Sequence, residues 1–465
     1  MNFKKTLILA CVLVAAIAYL AKVSEPRRQA ELAKAKLFAS MDLASIGSLE
    51  VSPKDSPSYI VAKGAPTSKG IFEWSLTDSP TSKLELPRVD GMVATLKDLT
   101  FDGPISDSEL GKDFSVFGLD SPSLTLLVHR NDGTTQEVAF GKKNEYLMKR
   151  YVKVSGFGGL YLIDDNGFES LNQSRVEIRA KQPVSFAKAD VREVVLESSL
   201  GRVAITQPAV GEWKVLDPEP RDGSKQDIER LFADVQALSA EEFIDGGQSR
   251  LADFGLNKPT VAMAIKLRDG LKESFIRVVV GEGAHGEGTF FTYDGAPSVF
   301  KVAPEKVIPL KKAVIDLRER KLLKIEGSDL ERVVSAGSTD APVDIQAAAM
   351  DWTVNGKISD PVFVEQLFND ISNLAAVDFP KSVPADAFNQ PFLTLTMTKK
   401  KGVGGETVVL VVGKEVAGPG GTARYARVGD TGEVALIRDV EAKRIIPHEG
   451  ALIQRATPAP SAKSK

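Results

Sequence analysis

Phe72-Glu73-Trp74-Ser75-Leu76, Gly211-Glu212-Trp213-Lys214-Val215 and Met350-Asp351-Trp352-Thr353-Val354 are the stretches that decide how this chain is built. The chain has 3 tryptophans, and they stand 139 residues apart both times (213 − 74 and 352 − 213). A fixed period of this length marks a tandem repeat of whole folding units. In each stretch the indole alternates with polar neighbours, as on a strand with one face in a core.

Working outward, each tryptophan is followed by a turn and an amphipathic helix. The apolar positions are Val89, Met92, Val93, Leu96 and Leu99, then Ile228, Leu231, Phe232, Val235 and Leu238, then Val364, Leu367, Phe368, Ile371 and Leu374. All three sets share offsets of 0, 3, 4, 7 and 10, which is one face of a 3.6-residue helix. Ser224 with Asp227 predicts a cap for the second helix, and Asp360-Pro361 places proline at the first position of the third.

Next come Phe117-Gly118-Leu119-Asp120-Ser121-Pro122 and Phe254-Gly255-Leu256-Asn257-Lys258-Pro259, reduced in the third copy to Phe388-Asn389-Gln390-Pro391. Proline stops helix and lets an extended segment start, so Pro122, Pro259 and Pro391 each open a strand. A second strand runs into Gly141, Gly281 or Gly413, and two more close the unit. The expected module is strand–strand–helix–strand–strand–strand–strand with a final short helix, such as 304–320. The fold class is therefore α+β: three tandem modules of roughly 140 residues, each a mainly antiparallel sheet with one or two helices.

The expected boundaries are 42–180, 181–322 and 323–455, followed by a disordered tail at 456–465. Before the modules, Lys4 and Lys5 precede an uncharged, mostly apolar run from Thr6 to Ala21, in the layout of a secretory signal. Residues 1–22 read as a signal anchor, or as a signal peptide cut at Ala16-Ile17-Ala18; 23–41 read as a charged helical stalk. A lipoprotein reading around Cys11 fits less well, because the apolar run continues past it. These features place the chain in the inner membrane by a single pass, with its C-terminal modules on the periplasmic side.

Hydrophobic residues make up 43% and charged residues 26% of the 465, enough apolar material for substantial cores. The net charge is −3 with both signs interspersed, which gives no electrostatic reason to expect nucleic acid. Cys11 is the single cysteine, so the modules carry no disulfide and no thiolate metal site. His129, His285 and His448 fall at unrelated positions of the repeat and read as structural or solvated. Gly281-Glu282-Gly283-Ala284-His285-Gly286 matches a dinucleotide-binding pattern, but that pattern needs a helix after it and Thr289-Phe290-Phe291-Thr292-Tyr293 reads as strand. No residue set is expected to be catalytic, cofactor-binding or metal-binding. The repeat positions Trp74, Trp213, Trp352, Pro122, Pro259, Pro391, Gly141, Gly281 and Gly413 read as structural.

The tryptophan strand, the amphipathic helix, the F-G-L-x-x-P element and the glycine-ended strand together resemble the bacterial Domain of Unknown Function family 4340, over roughly 42–450. The second copy carries the pattern most fully, and the third lacks Gly-Leu before its proline. The resemblance implies a membrane-anchored extracytoplasmic protein beside an ABC transporter of the gliding-motility type, with no catalytic residues to carry over. The expected function is a non-enzymatic scaffold or accessory protein with a protein partner. A module binding envelope polysaccharide or peptide through the loops between modules is the alternative, and an unrecognised hydrolase stands behind both.

Overall fold

The computed structural model describes residues 45–66, 72–105, 114–216, 220–337, 341–348, 351–400, 402, 405–430 and 432–453. The expected anchor, stalk and tail lie outside these residues. Among the described residues no helix is long and apolar enough to cross a membrane.

The class is α+β, with three antiparallel sheets and a few helices. The first sheet uses β1 (Ile46–Pro53), β2 (Tyr59–Pro66), β3 (Phe72–Leu76), β4 (Asp102–Ile105), β5 (Leu124–Arg130), β6 (Thr135–Asn144), β7 (Lys149–Val154) and β8 (Leu160–Asp164). The second uses β9 (Val191–Ser198), β10 (Gly201–Ala209), β11 (Glu212–Val215), β12 (Arg221–Asp222), β13 (Glu242–Asp245), β14 (Val261–Asp269), β15 (Lys272–Glu282), β16 (Thr289–Tyr293) and β17 (Ser298–Val302). The third uses β18 (Leu330–Ala336), β19 (Asp344–Ala347), β20 (Trp352–Val354), β21 (Lys357–Ile358), β22 (Leu393–Lys399), β23 (Thr407–Gly418), β24 (Gly421–Val428) and β25 (Ala435–Arg438).

The strands common to the three sheets follow one order, and the second and third sheets add a short edge strand, β12 or β21, beyond the tryptophan strand. The order runs β3-β2-β1-β5-β6-β7-β8-β4 in the first sheet and β12-β11-β10-β9-β14-β15-β16-β17-β13 in the second. In the third it is β21-β20-β19-β18-β22-β23-β24-β25. The tryptophan strand takes the same place each time, as do the strands either side of the glycine.

By compactness the chain divides into two units. One comprises Met1–Ala187, Ala233–Met263 and Ile276–Leu310; the other comprises Lys188–Phe232, Ala264–Phe275 and Lys311–Lys465. In the first unit the helix α1 (Leu86–Asp98) lays Val89, Met92, Val93 and Leu96 on the inner face of the first sheet, beside Leu49, Val61 and Trp74. In the second unit α3 (Pro361–Ser372) does the same with Val364, Leu367, Phe368 and Ile371 against Leu330, Val333 and Ile345. The helix α2 (Lys225–Gln236) carries Ile228, Leu231, Phe232 and Val235, all fully buried. The caps form as the residues dictate: the Asp227 amide donates to Ser224 Oγ, and the Val362 amide to Asp360 Oδ1.

Three expectations need correcting. Each sheet leads with two strands before the tryptophan strand rather than one. A short strand also follows the helix and crosses to the far edge, β4 beside β8 and β13 beside β17; in the third sheet it survives as a bridge between Asp378 and Leu436. And 304–320 is no single helix but turns at Pro304–Lys306 and Ile308–Leu310, then one helical turn at Val314–Leu317. Pro309 lacks the amide that a continuous helix would need there.

Candidate functional site

The repeat positions first show what the motif residues do. Trp74 and Trp213 are buried, whereas Trp352 is half-buried and packs on the edge of its core. The Trp74 indole N–H donates to Asp90 Oδ1 at 2.9 Å, while that of Trp213 is buried without a hydrogen-bond partner among the described residues. Trp213 and Trp352 meet Phe232 and Phe368 edge-on, with ring centroids 5.4 and 4.8 Å apart.

The F-G-L-x-x-P element packs against the other face of its sheet. Phe117 lies against Tyr151, Phe254 against Phe290, and Phe388 against Tyr425. Seating the aromatic drives the element's backbone onto the strand, and that is where glycine is needed. A Cβ on Gly281 would stand 2.5 Å from the Gly255 carbonyl oxygen; Gly141 and Gly413 are overlaid in the same way by the carbonyls of Phe117 and Ala387. In the third copy no residue of Phe388-Asn389-Gln390 takes a left-handed conformation, so the missing Gly-Leu costs nothing there.

A second recurring structure was not anticipated: a joint where the chain leaves one sheet for the next. Ile178 O accepts from the Glu85 amide, the Ala180 amide donates to Lys83 O, and Arg179 bridges Leu84. Exactly one period on (179 + 139 = 318), Leu317 O accepts from the Ser224 amide, the Glu319 amide donates to Asp222 O, and Arg318 bridges Gly223. The third sheet repeats the bridge between Ser359 and Ile453, without an arginine. Each arginine then lies over an aromatic ring on the strand after the next helix. Arg179 stands 4.1 Å from the centre of Phe243, and Arg318 stands 3.5 Å from that of Phe379.

The first joint lies wholly within the first unit, with its arginine buried and its carboxylates about half-exposed. Arg179 is 2% exposed. Its guanidinium donates to Asp245 Oδ1 at 3.0 Å, to Ser298 Oγ at 2.6 Å and to Ser82 Oγ at 3.2 Å. Burial pulls the Arg179 pKa down and the Asp245 carboxylate pulls it back up, and an arginine stays charged under that balance. Arg175 adds pairs to Asp78 at 2.5 Å and Asp245 at 3.6 Å. Tyr293 and Phe300 fill the space beside Phe243, leaving a cavity of about 10 Å³.

The second joint lies wholly within the second unit and is wired differently. Asp378 pairs with Leu436 by a single bridge, where the first joint has the four-residue pairing that sets Asp245 opposite Ser298, and Lys381 and Glu433 both line the space around Arg318 and Phe379. Glu433 pairs with Arg318 and, at 3.2 Å, with Arg221. Val428 and Ala435 occupy the places of Tyr293 and Phe300. Two openings of about 230 and 880 Å³ lie around Arg318 and Phe379.

The profile of the family described as Domain of unknown function (DUF4340) matches residues 74–259 and again residues 213–391. The chain belongs to this family. Both DUF4340 matches begin on a tryptophan, Trp74 or Trp213, and end on the proline that opens a strand of the following sheet, Pro259 or Pro391. Each DUF4340 match therefore contains one arginine and the aromatic ring it lies over, Arg179 with Phe243 or Arg318 with Phe379, while Ser298 falls outside the first match and Glu433 outside the second. No match was found among curated proteins or among solved structures.

The remaining polar candidates stay apart. His129 Nδ1 is 3.0 Å from Thr135 Oγ1 on the first sheet, and His448 caps a short helix after the third. His285 falls in the turn Ala284–Gly286, and the strand β16 follows it, where a dinucleotide loop would lead into a helix. Among the described residues no group of three histidine, cysteine or acidic side chains is placed to hold a metal ion. The joints escaped sequence reading although Ile178-Arg179 and Leu317-Arg318 share the tryptophan period. That signal was available, in two charge-rich stretches that otherwise look like linkers.

Proposed function

We propose that this chain is a non-enzymatic, membrane-tethered extracytoplasmic scaffold, built from three copies of one module at 42–180, 181–322 and 323–455. A helix within residues 1–22 holds it in the inner membrane with the modules on the periplasmic side. Its partner is a protein, an ABC-type transporter or an envelope complex, which the modules contact as an accessory subunit. The observation that carries the reading is the twice-built joint. At each joint an arginine, with its aromatic ring and ionic partners, fixes one sheet to the next, which is what a display scaffold requires.

Cross-linking in intact cells, followed by purification of the full chain in mild detergent, tests this. A reproducible protein partner in the membrane fraction is the expected result. Recovery of the chain alone from every cross-linker, or from the cytosol, would overturn the scaffold reading.

A further inference from the structure

We infer that the tip of the hairpin between β6 and β7 dips into the interface of the bilayer that holds the chain. The inference rests on the tethering proposed above and adds a second contact, made by the first module itself. Strand pairing runs out to Asn144 and Lys149, and Glu145-Tyr146-Leu147-Met148 turns between them. Tyr146 is 99% exposed, Leu147 55% and Met148 59%. Three consecutive large apolar side chains held in water mark a surface kept for contact. The turn is well fixed: Asn144 Oδ1 accepts from the Tyr146 amide at 3.1 Å and the Leu147 amide at 3.0 Å, while Asn144 Nδ2 donates to the Tyr151 hydroxyl at 2.7 Å. Met148 has φ 53°, a conformation that glycine or asparagine adopts more readily, so methionine stands there against the backbone's preference.

Comparison of the copies indicates what the tip meets. The equivalent turns are Gly283–Gly288 between β15 and β16 and Pro419-Gly420 between β23 and β24, and neither contains leucine, methionine or an aromatic ring. A partner that recognised the module as such would meet this turn in every copy. The apolar tip belongs instead to the one copy that directly follows the apolar run at 6–21. Its shape points the same way. A protein partner would need a pocket cut to three side chains of a convex turn, whereas the boundary between headgroups and acyl chains takes such a tip without complementary shape. Tyrosine settles at that boundary, its ring among the chains and its hydroxyl in water.

Reach and charge are both compatible with this contact. β1 enters the first sheet at the end away from the tip, with Ile46 opposite Arg130, and the 10 residues of β6 carry the tip about 30 Å further. Between Ala21 and Ser45 lie 23 residues (44 − 21), which can span up to ~75 Å and so allow the tip to turn back to the same bilayer. The lysines at the base of the hairpin are already paired, Lys143 with Asp165 and Lys149 with Asp102 and Asp164. The contact is therefore apolar, and indifferent to the charge of the lipid headgroups.

The test places the full chain in phosphatidylcholine vesicles and reads the depth of single labels. With Cys11→Ser as background, Leu147→Cys, Ala284→Cys and Pro419→Cys each offer one thiol for an environment-sensitive fluorophore. The Leu147→Cys label should shift its emission to the blue and lose about half of it to lipids brominated near the headgroup, while the other two labels stay unquenched. Adding Tyr146→Glu should abolish that quenching, since a carboxylate resists entry. Raised salt or added phosphatidylglycerol should change nothing. An unquenched Leu147→Cys label overturns the inference, as does equal quenching of all three labels. Quenching confined to anionic vesicles at low salt would assign the contact to lysines and overturn it too. Flotation of the same vesicles reports the tethering separately: a chain that floats with its Leu147→Cys label unquenched keeps its anchor and loses this contact.

Discussion

The two joints solve one problem at different depths. At the first, Arg179 is taken almost wholly out of water, and Asp245, Ser82, Ser298 and the Phe243 face replace its hydration. Withdrawing a charge from water costs several kcal/mol, and here the hydrogen bonds to Asp245, Ser298 and Ser82 and the ring face offset that cost, while the Arg179 Nε stays buried without a partner among the described residues. At the second, Arg318 is 12% exposed at its side chain and shares the half-exposed Glu433 with Arg221. Less is withdrawn and less must be returned. The contrast teaches that the aromatic contact and the strand bridge are the invariant parts of the joint. The ionic partners differ, Asp245 and Ser298 at the first joint and Glu433 at the second, and the four-residue strand pairing of the first is reduced to a single bridge in the second.

The largest expected effect asks whether joints are secondary to the cores they connect. Trp213→Ala should destabilise by about 3–5 kcal/mol, and the half-buried Trp352→Ala by about 2 kcal/mol, in urea unfolding followed by circular dichroism. A Trp213 effect below ~1 kcal/mol would mean the indole is not a core element. Next comes the comparison itself. Arg179→Ala should cost about 3 kcal/mol, because it opens a cavity and takes from Asp245 its buried cationic partner, and Arg318→Ala about 1 kcal/mol. Equal costs at the two sites would erase the distinction between a fully and a less deeply buried arginine.

A smaller effect probes the element that the joints leave alone. Gly281→Ala should cost about 2 kcal/mol, since its methyl meets a carbonyl oxygen. Gly91→Ala, on the open face of α1 with nothing within 4 Å, should instead stabilise by about 0.5–1 kcal/mol. Thermal unfolding of both variants checks the opposite signs.

The smallest effect is acidic. The Arg175 hydrogen bond holds Asp78 below the usual carboxylate range, and the Lys214 hydrogen bond does so for Asp222, one carboxylate at each joint. A carboxylate depressed on folding contributes stability at pH above its unfolded value of about 3.9, and loses it as pH falls through the folded value. Both carboxylates are about half-exposed, so solvent screening limits each to under ~1 kcal/mol. Melting temperatures of Asp78→Asn and Asp222→Asn should lie below that of the parent chain at neutral pH. They should converge with it under acid conditions; a constant gap across the range would break the assignment.

Much of the fold was legible because it is written in large apolar residues at fixed spacing. The indoles, the helix stripes and the glycine-ended strands recur in register, and burial demands those residue types. What escaped is short or polar. The strand Asp102–Ile105 contains Gly103 and Pro104, and Glu242–Asp245 is four residues long, so neither carries an alternating pattern. The joints rest on arginines, which on most surfaces are simply solvated, and their partners differ in kind between copies. Depth is equally hidden: the neighbours of Trp352 resemble those of Trp213, yet only coordinates tell a half-covered ring from a covered one.

The bridge at Arg179 also bears on how such a chain can be dissected. The arginine comes from the end of one sheet, while the ring and carboxylate that receive it arrive some sixty residues later, Phe243 and Asp245 after Arg179. A fragment cut between the two would present a bare guanidinium at one terminus and an uncovered phenyl edge at the other. Expression boundaries drawn past Pro259, the last residue of the first family match, would keep Arg179 with its receiver, and boundaries past Pro391 would do the same for Arg318 and Phe379.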